Sequence, residues 1–351
     1  MIKRLFLLFR YGFVWRKPKL LWRVALDYLK AFFSKTPPLH YIDFVTDYRC
    51  NLACKHCFAA YFARFQKEKL TLKDYQRVAR EAMRLGVIHF SFQGGEPLLD
   101  PHLPEIIKAF QPQANYISVT TNATLLTPSR LRQLKKLGVD KINVSLDSAI
   151  AEEHDKFRGK KGTFQKARRG INLALKMGFR VTVNTTVSHE NLYSPGIQRL
   201  FSWASRRQII LNPIFACPVG RWQGNKKILM TDADRKEIDR WREKSVFIRR
   251  DMDSNWFHFG CPAVKEVLYI TPDGEVLPCP FLHFSLGNVK RESLAKIRRR
   301  ALKYPLFGKY HQRCLASEDE EFLKKYLNFL AGEKCRPVEF EKTKKWLGKI
   351  I

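Results

Sequence analysis

Cysteine is scarce in this chain: eight residues among 351 are too few for a disulfide scaffold, so clustered ones point to metal in a reducing compartment. Long apolar runs are missing as well. The stretch Leu5–Phe9 is among the longest, far short of the ~20 residues that cross a bilayer, which excludes a transmembrane protein. Lys3 and Arg4 ahead of it imitate a signal peptide, but Arg10 breaks the run and no small-residue cleavage site follows. A cytoplasmic protein is expected. Acids are also few, 33 Asp and Glu against 64 Lys and Arg, leaving a net charge of +31. The cations are spread along the chain and no RNA-binding module is recognisable, so nucleic acid is not the favoured partner. Surplus lysine can also follow from solubility or a thermophilic host. No internal repeat or low-complexity tract is present. Apolar residues, at 45%, are as plentiful as in ordinary globular proteins and exclude disorder across the whole chain.

The length suits two domains of about 150 residues, or an α/β barrel that absorbs most of the chain. Residues 1–38 carry nine Lys and Arg and a single acid, Asp27, interleaved with Phe6, Phe9, Phe13, Trp15, Trp22, Phe32 and Phe33. Leu21, Ala25, Tyr28, Leu29 and Phe32 recur at helical spacing. Two readings stay open: a basic amphipathic helix in an anionic membrane interface, or a helix packed on the barrel with its cations merely solvated. Pro37 and Pro38 end the segment.

From about residue 40 the pattern alternates. Strand-like runs occur at Tyr41–Thr46, Val87–Phe92, Tyr116–Thr121, Lys141–Leu146, Arg180–Val187 and Ile209–Phe215, with helical patterns between them. Thr71 is a plausible N-cap and Gly86 a stop for the first helix; Thr127-Pro128 and Gly138 frame the next, and Thr163 to Gly178 repeats the layout. The expectation is α/β, a partial (β/α)6 TIM-type barrel over 39–222 with its ligands at the carboxyl ends of the strands. Residues 223–260 form a polar helical connection. Residues 261–351 form a small C-terminal module, in which Asp273-Gly274 turns a hairpin between Val267–Ile270 and Glu275–Leu277 and basic helices follow.

The decisive feature is Cys50-Asn-Leu-Ala-Cys54-Lys-His-Cys57 directly after the first strand. Structural zinc normally takes four ligands, whereas three thiolates suit a [4Fe–4S] cluster with one iron open to an outside ligand. A structural zinc site or chance spacing is the alternative. At this point the sequence resembles the radical S-adenosylmethionine (SAM) superfamily, whose hallmark is CxxxCxxC with an aromatic before the last cysteine, here His56. Gly94-Gly95-Glu96-Pro97 after the second strand matches the element that meets the SAM amino group in that family. The resemblance implies polar strand ends near SAM or substrate, among them Asn122 and Ser145. It also implies a cation near the SAM carboxylate at Arg158, in His154-Asp-Lys-Phe157-Arg158-Gly159. Each of these strand-end residues could instead cap a loop. Asn184 and Asn212 are further pocket candidates.

Cys261, Cys279, Cys314 and Cys335 form a second group. With Leu286-Gly287-Asn288-Val289 and Ser293-Leu294 they resemble SPASM and Twitch modules, which implies an auxiliary [4Fe–4S] cluster. The absence of a dense CxxC pattern favours the one-cluster form. The gap between Cys314 and Cys335 is wider than such modules usually show. Cys217, apart from both groups, reads as a buried free thiol. The resemblance implies reductive cleavage of SAM and attack of a 5′-deoxyadenosyl radical on a peptide or small-molecule substrate, with an electron donor such as flavodoxin or ferredoxin. Three other functions compete: a membrane-associated enzyme acting on a lipid or isoprenoid, tRNA modification, and simple electron transfer. The GGEP element argues against the last.

Overall fold

The computed structural model describes residues 14–33, 38–64, 67–250, 252, 260–333 and 336–347. Phe6, Phe9, Phe13 and Cys335 therefore lie outside the described residues. Six parallel strands pair in sequence order: β1 (Tyr41–Asp47), β2 (His89–Gly94), β3 (Tyr116–Thr121), β4 (Lys141–Ser145), β5 (Arg180–Val187) and β6 (Ile210–Phe215). Helix α1 (Pro18–Phe33) precedes them. The crossovers hold α2 (Leu72–Arg84), α3 (Leu103–Ala109), α4 (Pro128–Lys136), α5 (Ala151–Arg158), α6 (Thr163–Lys176) and α7 (Pro195–Arg207). Helix α8 (Asp232–Lys244) follows β6.

The punctuation works as its chemistry requires. Thr71 and Asp74 close a reciprocal capping box at the start of α2, and Gly86 ends that turn at φ +97°. Thr127 caps α4 through the Arg130 amide, with Pro128 in the first turn. Strand alternation then sorts the side chains. Ile42 and Phe44, Phe90 and Phe92, Ile117 and Val119, Ile142 and Val144, Val181 and Val183, and Leu211 join one apolar core under the helices. Phe110 anchors it, 4.6 Å from Phe44 and 4.8 Å from Phe90 between ring centres. Burying a side chain of that size is worth about 1.5–3 kcal/mol. On the opposite face the register lines up Asp43, Ser91 and Ser118, then Thr120, Asn143 and Thr182, then Ser145, Asn184 and Asn212. The barrel lumen is therefore polar.

The sheet is larger than the six strands read from sequence. β7 (Val267–Ile270) pairs in parallel with β1, β8 (Glu275–Leu277) returns antiparallel, and β10 (Gly287–Asn288) adds to β8, giving nine strands. The hairpin around Gly274 thus continues the barrel sheet past β1. A second, two-stranded sheet joins β9 (Phe284–Ser285) to β11 (Val338–Glu339). Helices α9 (Leu294–Ala301), α10 (Pro305–Gly308), α11 (Glu320–Gly332) and α12 (Phe340–Leu347) complete the C-terminal part. Phe284 packs there against Phe307, Tyr326 and Phe340. The acidic run at 318–321 is structural: Glu318 is buried against Arg250 at 2.7 Å, and Asp319 caps α11.

Helix α1 lies across the amino ends of the strands. The Lys17 ammonium donates to the Asn115 and Gly138 carbonyls (3.0 and 2.9 Å) and to Asp140 (2.5 Å). Arg23 donates to the Ala114 and Val87 carbonyls at 3.0 and 2.6 Å. These cations are not solvated, as the packed-helix reading had assumed. They donate to backbone carbonyls at the amino ends of the strands and so anchor the helix there.

Candidate functional site at the carboxyl ends of the strands

The chain leaves β1 through Asp47, whose carboxylate accepts from the Arg49 amide (3.0 Å), the Arg49 Nε (2.5 Å) and Lys69 (2.8 Å). Burial would raise the Asp47 pKa, but these hydrogen bonds outweigh it and hold the carboxyl below its usual range. The cysteine loop that follows is clamped by backbone from three other segments. The Gly95 amide donates to the Asp47 carbonyl (2.9 Å) and the Glu96 amide to that of Arg49 (2.8 Å). A Cβ on Gly95 would sit 2.3 Å from the Arg49 oxygen, so these glycines first of all admit the cysteine loop. The Lys55 amide donates to Phe157 at the end of α5 (3.0 Å). The third clamp, Gly220-Arg221-Trp222, escaped the sequence reading. The Arg221 amide donates to the Cys57 carbonyl (3.0 Å), its guanidinium to Ala53 (2.7 Å), and Gly220 turns at φ +60° against Cys57. No local signal marks it, because the contact joins segments far apart in the chain.

Several sequence-selected residues converge on this loop. Asn122 Nδ2 donates to Asn51 Oδ1 (2.9 Å) and lies 3.9 Å from Cys50 Sγ. Arg158 is buried; its Nε donates to Asp147 (2.6 Å) and one terminal nitrogen to Cys54 Sγ (3.7 Å). Its cation is thus held at Cys54 by Asp147, which also accepts from the Thr186 amide (2.9 Å). Glu96 is fully buried, accepting from the Leu98 amide (3.1 Å), the Thr121 hydroxyl (2.7 Å) and the Asn122 amide (2.8 Å). His56 stacks on Phe157 with ring centres 4.6 Å apart, and its Nδ1 is buried with no hydrogen-bond partner. Ser145, Asn184 and Asn212 stand in register across β4, β5 and β6.

Of the second cysteine group, the three described members, Cys261, Cys279 and Cys314, lie near one another. The Cys261 amide donates to the His311 carbonyl (2.7 Å), and the Cys314 amide to Glu318 (3.0 Å). Cys261 and Cys314 pack in one apolar cluster with Met252 and Ala263. Cys279 follows β8; burial, then the charges of Cys314 and Cys261, push its thiol well above the usual range. The seven described cysteines form no disulfide with one another, and Cys217, two residues past β6, is buried in the main apolar core.

Comparison with known proteins finds two family matches along the chain. Residues 45–193 match the Radical SAM superfamily, and residues 261–317 match SPASM, an iron–sulfur cluster-binding domain. This chain is a member of the radical SAM superfamily with a SPASM domain. The enzyme is 28% identical over 278 residues to an AdoMet-dependent heme synthase of Methanosarcina barkeri, covering 71% of this chain and 78% of the relative. It is 26% identical over 280 residues to a PqqA peptide cyclase of Rhizobium meliloti, covering 74% and 73%. Streptococcus suis SuiB bound to S-adenosylmethionine shares the fold at TM-score 0.61 and 20% identity, over 90% of this chain and 79% of that one. Native anSMEcpe with bound AdoMet does so at TM-score 0.61 and 18% identity, over 84% and 100%.

Members of this family bind SAM and [4Fe–4S] clusters, and the residues present fit both. Among the described residues no three His, Cys, Asp or Glu donors converge on a point as a single ion would need. Cys50, Cys54 and Cys57 would instead each hold a different iron of a cluster. Although Cys50 is exposed as a residue, desolvation of its sulfur by the surrounding loop, with the charges of Cys54, Glu96 and Cys57, pushes its thiol up to about 11. Bound iron reverses that penalty, since the thiolate is the ligand. The Leu52 amide, 3.4 Å from Cys50 Sγ, and the Arg158 guanidinium at Cys54 already offer N–H groups to sulfur. For SAM, the unpartnered His56 Nδ1 and buried Glu96 are the telling groups. Burial pushes Glu96 up to about 7 despite its three hydrogen bonds, and an ammonium placed beside it would restore the charge.

Cys279→Ala is expected to remove the iron of one cluster and leave reductive SAM cleavage in place. Iron analysis beside a deoxyadenosine assay checks this; unchanged iron would refute the role of Cys279.

Proposed function

We propose that Cys50, Cys54 and Cys57 hold the cluster at which SAM is cleaved, and that the 5′-deoxyadenosyl radical takes a hydrogen atom from a peptide or small molecule held in the barrel. When bound, the cluster supplies the electron that splits SAM into methionine and that radical. The supporting observation is that the cysteine loop, Arg158, Asn122 and Glu96 meet at the carboxyl ends of the strands, above a lumen of hydroxyls and amides. Glu96 with Gly94 and Gly95 would receive the SAM amino end, His56 would present its ring and free Nδ1 to the adenine side, and Arg158 would hold Cys54. Ser145, Asn184 and Asn212 would position polar groups of the substrate. The names of the relatives include a heme synthase and a peptide cyclase, which supports this substrate range.

Cys261, Cys279 and Cys314, with Cys335 as fourth ligand, would hold the auxiliary cluster. It could ligate the substrate or accept the electron left after hydrogen removal. Cys50 is exposed, and Arg49, Lys55, Lys160 and Arg221 flank its loop, a setting for a docking electron donor such as flavodoxin or ferredoxin. Anaerobic reconstitution should give about eight irons per chain, for two cubanes, and equal yields of methionine and deoxyadenosine. Purified protein that holds only zinc, or that lacks the absorbance of a cubane, would overturn the assignment. Deuterium passing into deoxyadenosine from a labelled peptide encoded by a neighbouring gene would identify the substrate.

A further inference from the structure

The face of α1 turned away from the barrel carries its large apolar side chains. Pro18, Trp22, Ala25, Leu29, Phe32 and Phe33 recur at spacings of three and four, which places them along one side. With Trp15 just before the helix, Trp22, Leu29, Phe32 and Phe33 are between 58% and 80% exposed. A helix of a water-soluble protein normally turns such a stripe inward. Here the inward side instead carries the polar anchors: Lys17 and Arg23 on strand-end carbonyls and Asp27 buried, beside Leu20 and Val24 on Ile88 and Tyr116. The outward stripe is not left over from poor packing, because the inward side already anchors the helix.

The surroundings say what covers the stripe. Arg16, Lys19 and Lys30 border it, and Lys135 sits close enough to Arg16 to feel its charge. The only acid between residues 14 and 33, Asp27, is buried, so the outward surface carries no negative charge from α1. Exposed tryptophan and phenylalanine rimmed by cations match a lipid interface, where aromatic rings sit at headgroup level and basic side chains meet anionic phosphates. Another protein copy bearing the same cations would be repelled at the rim. Residues 1–13 add Lys3, Arg4 and Arg10 among Leu and Phe, the same chemistry extended.

We infer that α1 is a docking surface for an anionic lipid bilayer, seating the amino end of the barrel on the membrane. All anchors of α1 precede strands (Val87, Ala114, Asn115, Gly138), whereas the cysteine loop, Glu96, Asn122 and Asp147 follow strands. The SAM end therefore faces away from the lipid, and docking sets where the enzyme works without bringing a lipid tail to the radical.

Holoenzyme is sedimented with vesicles of phosphatidylglycerol and phosphatidylcholine in equal parts, and with phosphatidylcholine alone. Binding should favour the anionic vesicles at least tenfold and weaken as salt rises. Trp22→Ser/Leu29→Ser/Phe33→Ser, confined to exposed positions, should lose at least tenfold in vesicle binding and keep wild-type deoxyadenosine formation. Binding that ignores vesicle charge, or that survives the triple substitution, overturns the inference. Absence of binding by the full chain, with binding gained on deleting residues 1–13, overturns it by showing that those residues cover the stripe. A dimer seen by light scattering that the triple variant abolishes and vesicles do not displace overturns it in favour of a second copy.

Discussion

Cys54→Ala is expected to reduce deoxyadenosine formation to background while leaving about four irons per chain, those of the second cluster. Of the three loop cysteines it is the most buried, and it alone meets the Arg158 guanidinium. Its removal deletes one of three anchors, and the remaining pair cannot hold a cubane against chelation. The fold should survive, because Arg158 keeps its 2.6 Å bond to Asp147 and no buried charge is orphaned. Circular dichroism and iron analysis of the same sample separate the two effects. Deoxyadenosine retained by this variant would sink the assignment of the loop.

The second large effect is expected at a residue with no chemistry of its own. Gly220→Ala places a Cβ 2.2 Å from the Cys57 carbonyl and 2.5 Å from Phe58 Cα, both backbone, so the cysteine loop must move. Left-handed geometry at φ +60° adds strain of about 1–2 kcal/mol. Loss of the loop cluster's iron and at least a tenfold fall in SAM cleavage should follow. Gly224→Ala is the control. It shares the left-handed backbone at φ +78° but has nothing within 4 Å of the added Cβ, so it should keep iron and activity. Equal damage from both substitutions would show strain alone at work and remove Gly220 from the clamp.

What the sequence made legible was whatever local rules enforce. Thr71, Thr127 and Gly86 marked helix ends by chemistry that acts within four residues, and strand alternation placed Ser145, Asn184 and Asn212 on one face. The cysteine loop was legible because its spacing is itself the constraint. Tertiary choices were not. Nothing near Val267 says that it pairs in parallel with Tyr41, or near Gly220 that it abuts Cys57. Nor does the sequence near Arg158 say that its guanidinium pairs with Asp147, eleven residues back beyond the preceding strand. Amphipathic periodicity in α1 was visible, but periodicity alone does not say which side faces water, and the buried bonds of Lys17 and Arg23 decide it.

The seam between β7 and β1 makes the two halves of the enzyme inseparable. Cutting the chain ahead of β7 would bare the whole edge of β1, a row of unmatched amides and carbonyls beside Ile42 and Phe44, ready to recruit another chain. Excised barrels should precipitate rather than fold. Heat should melt the intact protein in a single cooperative step, and calorimetry would see one transition where two sequence modules are written.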